Sequence, residues 1–297
     1  MSKQMVGRCV ALGSAAALLL SVTCAAGAAM AASSVRQATQ VGGAADPTAS
    51  TGASCTTPNH AYASLATRMA RDIDSRLTGR ESTVGLEVRD SKTGIVCYYH
   101  ADSHFIAASA IKVTILSALL LKAQEEHRGL TSYEKNQAWL MITQSDNDAA
   151  TVLWNEVGIS GMQHFLNLAK MTQTKLSYSW GLTQLTAHDE TLLLTMLTAV
   201  NPVLDQSSRV YARYLMAHVI ASQRWGVPAG APDDVIVHVK NGWLPYPGSI
   251  WEINSIGMFT NKHRAYTMAV LTYNNPSMDY GIDTIERVAE IMHHDLN

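Results

Sequence analysis

Residues 109–121 read SAIKVTILSALLL, a strongly apolar helical stretch that opens with a serine and, three residues later, a lysine. A spacing of three residues places the amine of Lys112 on the same helix face as the hydroxyl of Ser109. A serine hydroxyl is a weak nucleophile unless a neighbouring base takes its proton, and burial lowers the pKa of a lysine so that it can be that base. The helix N-terminus adds a backbone N–H and a dipole that suit a developing oxyanion. The stretch therefore predicts Ser109 as a nucleophile and Lys112 as its base.

The same serine–lysine pattern occurs a second time, at residues 132–135. Thr131 and Glu134 form a capping box around this second copy, which the start of a helix therefore explains. A serine cap followed by a surface lysine is also the alternative reading of Ser109 and Lys112. The motifs that accompany each copy have to decide between the two.

A Ser145-Asp146-Asn147 triplet follows the next helix, which the sequence predicts at about 131–144. At about 1.5 Å per residue, the helix from Ser109 runs about 27 Å outward and the second helix returns about 21 Å. A short link at 127–130 makes them an antiparallel pair, so Ser145 is expected close to Ser109. There its hydroxyl can relay protons, and the amide of Asn147 can hold a substrate carbonyl. The triplet can also cap the helix that follows it.

The third motif is Lys240-Asn241-Gly242, at the end of a predicted strand. A lysine beside a catalytic serine offers positive charge to a substrate carboxylate, and the Asn241 amide can donate to the same group. Gly242 lets the backbone approach closely, and the N–H of Trp243 completes a pair of oxyanion donors. Taken alone, the triplet fits an ordinary turn equally well.

Extended segments lie on both sides of the helical region. Before it, residues 84–88 alternate apolar and polar side chains, and a turn-rich stretch leads to a second extended run at 95–99, which predicts a hairpin. After it, extended patterns return at 235–239, 249–259 and 265–273, and an amphipathic helix closes the chain. This order predicts an α+β domain over residues 58–297, with an antiparallel five-stranded sheet formed by both chain ends around a helical insertion.

Together the three motifs resemble those of active-serine β-lactamases and penicillin-binding proteins, most closely the class A β-lactamases. The strings WGLT at 180–183 and KNGW at 240–243 also resemble a group of secreted actinobacterial serine hydrolases. The resemblance implies a β-lactamase/transpeptidase-like fold and an acyl-enzyme formed with β-lactams or related cyclic amides. It implies three catalytic residues, Ser109, Lys112 and Ser145. It also implies five substrate-binding residues, Asn147, Lys240, Asn241, Gly242 and Trp243.

The chain departs from the class A pattern in three places. Asn241 stands where the family has threonine or serine, and the segment between Ser109 and Ser145 is shorter than in typical class A enzymes. Residues 180–184, WGLTQ, offer no carboxylate where class A enzymes place the glutamate that activates the deacylating water. A His-Asp-Glu run follows at 188–190, but residues 186–193 fit the capped start of a helix. We therefore expect slow deacylation.

Two other functions remain open on the sequence. A D,D-peptidase or amidase that acts on cell-wall peptides would use the same nucleophile, and a β-lactam-binding sensor would acylate without turnover. Either way the partner is a small-molecule substrate, a β-lactam or a peptidoglycan peptide, and we expect no cofactor, no metal and a monomer. The formal net charge of −2 does not indicate the basic surface that nucleic-acid binding requires.

The N-terminal residues have the pattern of an export signal. A basic start, an apolar stretch at 9–22 and an Ala-Met-Ala site at 29–31 predict a signal peptide over residues 1–31. We expect a secreted, extracellular or cell-envelope protein that does not stay in the membrane after cleavage. Residues 32–57, rich in Ala, Ser, Thr and Gly, predict a flexible leader. Export and an even pair favour a Cys55–Cys97 disulfide, with two free thiols as the alternative.

Overall fold

The computed structural model describes residues 52–248 and 250–297, so the predicted signal peptide and residues 32–51 of the predicted leader lie outside the described part. Eight strands are described: β1 Ser54–Thr56, β2 Thr83–Asp90, β3 Val96–Tyr99, β4 Phe105–Ile106, β5 Gln184–Leu185, β6 Ile236–Tyr246, β7 Ile250–Asn261 and β8 Arg264–Asn275. Seven α-helices are described: α1 Ala63–Leu77, α2 Lys112–Glu125, α3 Ser132–Thr143, α4 Asn147–Ala169, α5 Ala187–Thr198, α6 Gln206–Ala217 and α7 Met278–Leu296.

The main sheet is antiparallel and draws strands from both chain ends, in the order β1-β3-β2-β8-β7-β6. The predicted hairpin is β2–β3, and β2 joins the C-terminal strands by pairing with β8 from Thr83↔Tyr273 to Asp90↔Tyr266. The predicted α+β fold is therefore confirmed. The small β4–β5 pair lies outside this sheet and leads directly into the turn that carries Ser109.

The sheet has six strands instead of the predicted five. The additional strand is β1, which pairs with β3 and begins at Ser54, four residues before the predicted start of the domain. Cys55 lies opposite Cys97 in this register, and a disulfide joins them, with their Cα atoms 4.0 Å apart. The three residues Ser54-Cys55-Thr56 carry no alternating apolar pattern, so the local sequence does not indicate this strand.

Helices cover both faces of the sheet. Strands β7 and β8 each bury a run of consecutive residues, which requires packing on both faces. Helices α1 and α7 pack together, with α7 against β7 and β8, while α5 packs against β2, β7 and β8. Among the described residues, no helix is long and apolar enough to span a bilayer.

Helix α2 is the central element of the helical region. It is buried along most of its length and packs against α4 and α6. A helix that is apolar on all sides has to lie in the interior of the domain. Burial of this helix therefore places its first residue, Lys112, inside the protein.

Candidate active site

Ser109 lies in a 3₁₀ turn, Ala108–Ile111, that connects β4 to α2 and is called here the Ser109 turn. Ala108 has a φ of 45°, a left-handed conformation that is unfavourable for residues other than glycine. Such strain concentrates at functional sites, where the surrounding structure enforces it. Ser109 is half-buried, and its hydroxyl makes no hydrogen bond to any residue of the described chain. The hydroxyl is therefore free for a substrate.

Lys112 is completely buried, which excludes the reading as a surface lysine. Its Nζ donates to the backbone oxygen of Ser145 at 2.7 Å, to Asn147 Oδ1 at 2.8 Å and to Ser145 Oγ at 3.2 Å. Burial lowers the pKa of Lys112 to about 7, although the charge of Asp146 acts in the opposite direction. Near neutral pH a large fraction of this amine is unprotonated and can accept a proton.

The expected hydrogen bond between Lys112 and Ser109 is not present. The amine of Lys112 is directed to Ser145 and Asn147 instead. These two carbonyl oxygens, together with Ser145 Oγ, accept from the three N–H donors of an ammonium group. Lys112 and Ser145 are therefore in contact, while the hydroxyl of Ser109, three residues before Lys112, is unpaired among the described residues.

Ser145 lies between two amines. Its Oγ is 3.2 Å from Lys112 Nζ and 2.9 Å from Lys240 Nζ. Ser145 has a φ of 59°, and the next residue, Asp146, caps α4 by accepting from the Ala149 N–H at 2.7 Å. The triplet therefore caps a helix and also places Ser145 in the site. A hydroxyl between two amines is well suited to pass a proton.

Asn147 is exposed at the start of α4. Its Oδ1 accepts from Lys112, so the Asn147 amide nitrogen, which has no hydrogen-bond partner among the described residues, remains available. This arrangement is compatible with the predicted contact to a substrate carbonyl.

Lys240 is less available to a substrate than predicted. It is completely buried, and its Nζ donates to Ser145 Oγ and to the backbone oxygen of Asn241, each at 2.9 Å. Burial and the charge of Lys112 hold the pKa of Lys240 well below its ordinary value. Two amines that share one hydroxyl disfavour simultaneous protonation, so the pair titrates as a unit.

The prediction that the Asn241 amide donates to a substrate carboxylate is wrong. Asn241 is buried, and its Nδ2 donates to the backbone oxygens of Gln223 and Trp225, each at 2.9 Å. Successive side chains on a strand point to opposite sides, so Asn241 cannot join Lys240 at the serine. Its function in the fold is to hold residues 223–225 against β6.

Gly242 lies directly against the backbone of the Ser109 turn. A Cβ at this position would be 2.9 Å from the amide nitrogen of Ser109, 2.8 Å from that of Ala110 and 2.7 Å from the oxygen of Ala107. Backbone atoms cannot yield as the end of a side chain can, so only glycine fits. The next residue, Trp243, is half-buried, and its ring centroid lies 6.0 Å from that of Trp225.

Trp180 is a site residue that the sequence analysis does not identify. It begins the 3₁₀ turn Trp180–Leu182, and its ring centroid lies 4.9 Å from Lys112 Nζ, within the range of a cation–π contact. Its Nε1 donates to Thr151 Oγ1 at 3.1 Å, which fixes the ring against α4. The only signal in the sequence is the position of Trp180 in the WGLT string. The group over the lysine is thus an indole, which has no basic atom.

The His-Asp-Glu run does not supply that carboxylate. His188 contacts Glu87 at 2.9 Å, and Asp189 Oδ2 accepts from the N–H groups of Gln173 and Thr174 at 2.9 and 2.7 Å. Glu190 is completely buried, and burial together with Asp189 raises its pKa well above the ordinary value. Among the described residues, those that hydrogen-bond to the side chains at 188–190 do not include any residue of the predicted site.

Comparison with known proteins bears on the family and the fold. The chain has no match among curated proteins. It is similar in structure to a class A β-lactamase from Bacteroides cellulosilyticus (19% identity, 78% of this chain and 98% of that chain covered, TM-score 0.69). It is also similar to a β-lactamase from Chitinophaga pinensis (14% identity, 77% of this chain and 100% of that chain covered, TM-score 0.70). A third similar structure is a mutant of PBP-A as an acyl-enzyme complex with penicillin G (19% identity, 78% of this chain and 97% of that chain covered, TM-score 0.67). The model of the β-lactamase enzyme family matches residues 68–135 and 134–296, which is most of the chain and includes every residue of the site. On this match, and with the fold that it shares with class A enzymes, the chain belongs to the β-lactamase enzyme family.

Proposed function

We propose that this protein is a serine hydrolase that forms an acyl-enzyme on Ser109 with β-lactams or related cyclic amides and releases the product slowly. The observation that carries the proposal is the position of Ser145 Oγ between two buried amines, 3.2 Å from Lys112 and 2.9 Å from Lys240, next to a nucleophile with an unpaired hydroxyl. The similar PBP-A mutant, which was determined as an acyl-enzyme with penicillin G, gives a precedent for this fold.

Acylation begins with the neutral amine of Lys112. As the Ser109 hydroxyl rotates toward it, the amine takes the proton and the Ser109 Oγ forms a bond to the carbonyl carbon of the lactam. The N–H groups of Ser109 and Trp243 stabilise the oxyanion. When the carbon–nitrogen bond breaks, the ring nitrogen takes a proton from Ser145, which recovers one from protonated Lys112. The net transfer is one proton from Ser109 to the lactam nitrogen.

Deacylation needs a second base that orients water against the ester. Trp180 covers Lys112, and the carboxyl of Glu190, whose pKa is raised, makes no hydrogen bond to any described residue. The loss of general-base catalysis slows this step by roughly 10² to 10⁴. The acyl-enzyme therefore accumulates.

A D,D-peptidase acting on cell-wall peptides is the second candidate. The exposed Asn147 amide suits a peptide acyl donor as well as a lactam. We also propose that the protein is exported, since the Cys55–Cys97 bridge requires an oxidising compartment.

The decisive experiment is mass spectrometry of the protein with excess penicillin, together with turnover of a chromogenic cephalosporin. We expect a persistent adduct on Ser109 and little steady hydrolysis. Ser109→Ala should abolish the adduct, whereas Ser132→Ala, in the second copy of the motif, should leave it unchanged. Absence of any adduct with penicillin and of cephalosporin turnover would contradict the proposal, and hydrolysis of a D-alanyl-D-alanine peptide would favour the peptidase.

A further inference from the structure

Two side chains of strand β7 form hydrogen bonds to the backbone of Ile106 and Ala107, the residues that lead into the Ser109 turn. Asn254 Nδ2 donates to the backbone oxygens of Ile106 at 2.8 Å and Ala107 at 3.3 Å. Glu252 Oε1 accepts a hydrogen bond from the N–H of Ile106. Both backbone groups of Ile106, three residues before the nucleophile, are therefore bound by side chains of one strand.

Glu252 is an unusual acceptor because its carboxyl group is buried without a cation. The residue is 2% exposed, and its Oε2 accepts from the Tyr246 hydroxyl at 2.8 Å. The groups that face it are Tyr246 on β6, the Ile106 backbone on β4 and, behind the Tyr246 ring at 5.8 Å, Tyr273 on β8. No lysine, arginine or histidine among the described residues pairs with it.

The position of the nucleophile depends on these bonds. Ala108, between Ile106 and Ser109, has a φ of 45°, and a strained residue keeps that conformation only if its neighbours enforce it. On the other side Gly242 packs against the backbone of the same turn. Release of Ile106 would let Ala108 relax and would move Ser109 away from Lys112 and Ser145.

We propose that Glu252 is a positioning residue whose bonds to Ile106 and Tyr246 hold the Ser109 turn in its reactive geometry, and that ionisation of this carboxyl weakens the hold and slows acylation. The inference rests on the proposed acylation of Ser109. Burial raises the pKa of Glu252 to about 8, even though its two hydrogen bonds favour the charged form. Above that pH an unpaired charge forms in an apolar site, which favours the entry of water and the loss of the bond to Ile106.

The test is the pH profile of Ser109 acylation by penicillin, measured as the second-order rate of adduct formation. In the unmodified protein we expect the rate to rise as Lys112 loses its proton near pH 7 and to fall above about pH 8. Glu252→Gln cannot ionise. Its amide oxygen can still accept from the Ile106 N–H and its amide nitrogen can donate to the Tyr246 hydroxyl oxygen, so the rise should remain and the fall should disappear. Tyr246→Phe removes a bond that favours the charged form and should move the fall to higher pH. Glu190→Gln, which changes another buried carboxyl that makes no hydrogen bond to any described residue, is the matched control and should keep the fall.

A second readout does not depend on activity. Glu252→Ala should increase amide hydrogen exchange at Ile106 and slow acylation at every pH by 10-fold or more, and Glu252→Gln should restore both. If the unmodified protein is not acylated, the proposed function fails, whatever the exchange shows. If it is acylated and Glu252→Gln keeps the alkaline fall, or if Glu252→Ala leaves Ile106 protected, the positioning role is wrong.

Discussion

The amine of Lys240 lies 2.9 Å from the hydroxyl of Ser145, closer than the 3.2 Å between that hydroxyl and the amine of Lys112. Lys240 comes from the edge strand β6 and Lys112 from the central helix α2. The hydroxyl of Ser145 therefore connects the sheet to the helical region. The hydroxyl accepts from both amines, and the charge of Lys112 disfavours protonation of Lys240. Burial lowers the pKa of both amines, so the site favours the neutral form of each more than water does.

The first prediction concerns Lys112. Lys112→Arg keeps a cation but removes the group that can lose its proton, because arginine stays charged in proteins. We expect acylation of Ser109 to fall by roughly 10² to 10⁴. In the unmodified protein the rate should increase with pH through about 7, because the lowered pKa makes the amine neutral above that value. Rates of adduct formation from pH 5 to 9 test both points.

The second prediction concerns Gly242. In Gly242→Ala the new methyl group would lie 2.9 Å from the amide nitrogen of Ser109, so the strand or the turn has to move. We expect a loss of about 1–3 kcal/mol in the free energy of unfolding and at least a 10-fold loss of acylation. Gly129→Ala is the control, since a Cβ there has no atom within 4 Å. Equal acylation rates in the two variants would contradict the close contact that we describe.

Much of this fold could be predicted from local patterns, and the exceptions have physical causes. Alternation at 84–88 predicts the hairpin and the apolar stretch after Ser109 predicts the central helix, because each pattern is local, although β2 is in fact buried on both faces. The left-handed Ala108 carries no such signal, since alanine disfavours the conformation and tertiary contacts impose it. The partners of the Asn241 amide, the backbone oxygens of Gln223 and Trp225, are brought to it only by the folded chain, so its sequence position alone predicts a substrate contact that does not form.

The third prediction concerns the bridge between Cys55 and Cys97, which are 42 residues apart in the sequence. In the chain-entropy view, closing a loop of this length stabilises the folded state by about 4 kcal/mol. Cys55→Ser should therefore lower the melting temperature clearly. It should leave Ser109 acylation nearly unchanged, because β1 and the site strand β6 are the opposite edges of the sheet. Mass spectrometry without reductant tests the bridge itself, and two free thiols in the purified protein would rule it out.

The last prediction concerns Trp180, whose ring lies 4.9 Å from Lys112 Nζ. In Trp180→Glu a carboxylate takes the place of the indole, where it can accept a proton from water and pair with the amine. Deacylation should then become faster by roughly 10²-fold or more, and the penicillin adduct should become transient. The pKa of Lys112 should rise beside the new charge, so the rise of acylation with pH should move to higher pH. Trp180→Phe keeps an aromatic ring without the bond to Thr151 and should leave the adduct persistent. Time-resolved mass spectrometry of all three proteins measures the lifetime of the adduct, and an unchanged lifetime in Trp180→Glu would show that the indole is not what limits deacylation.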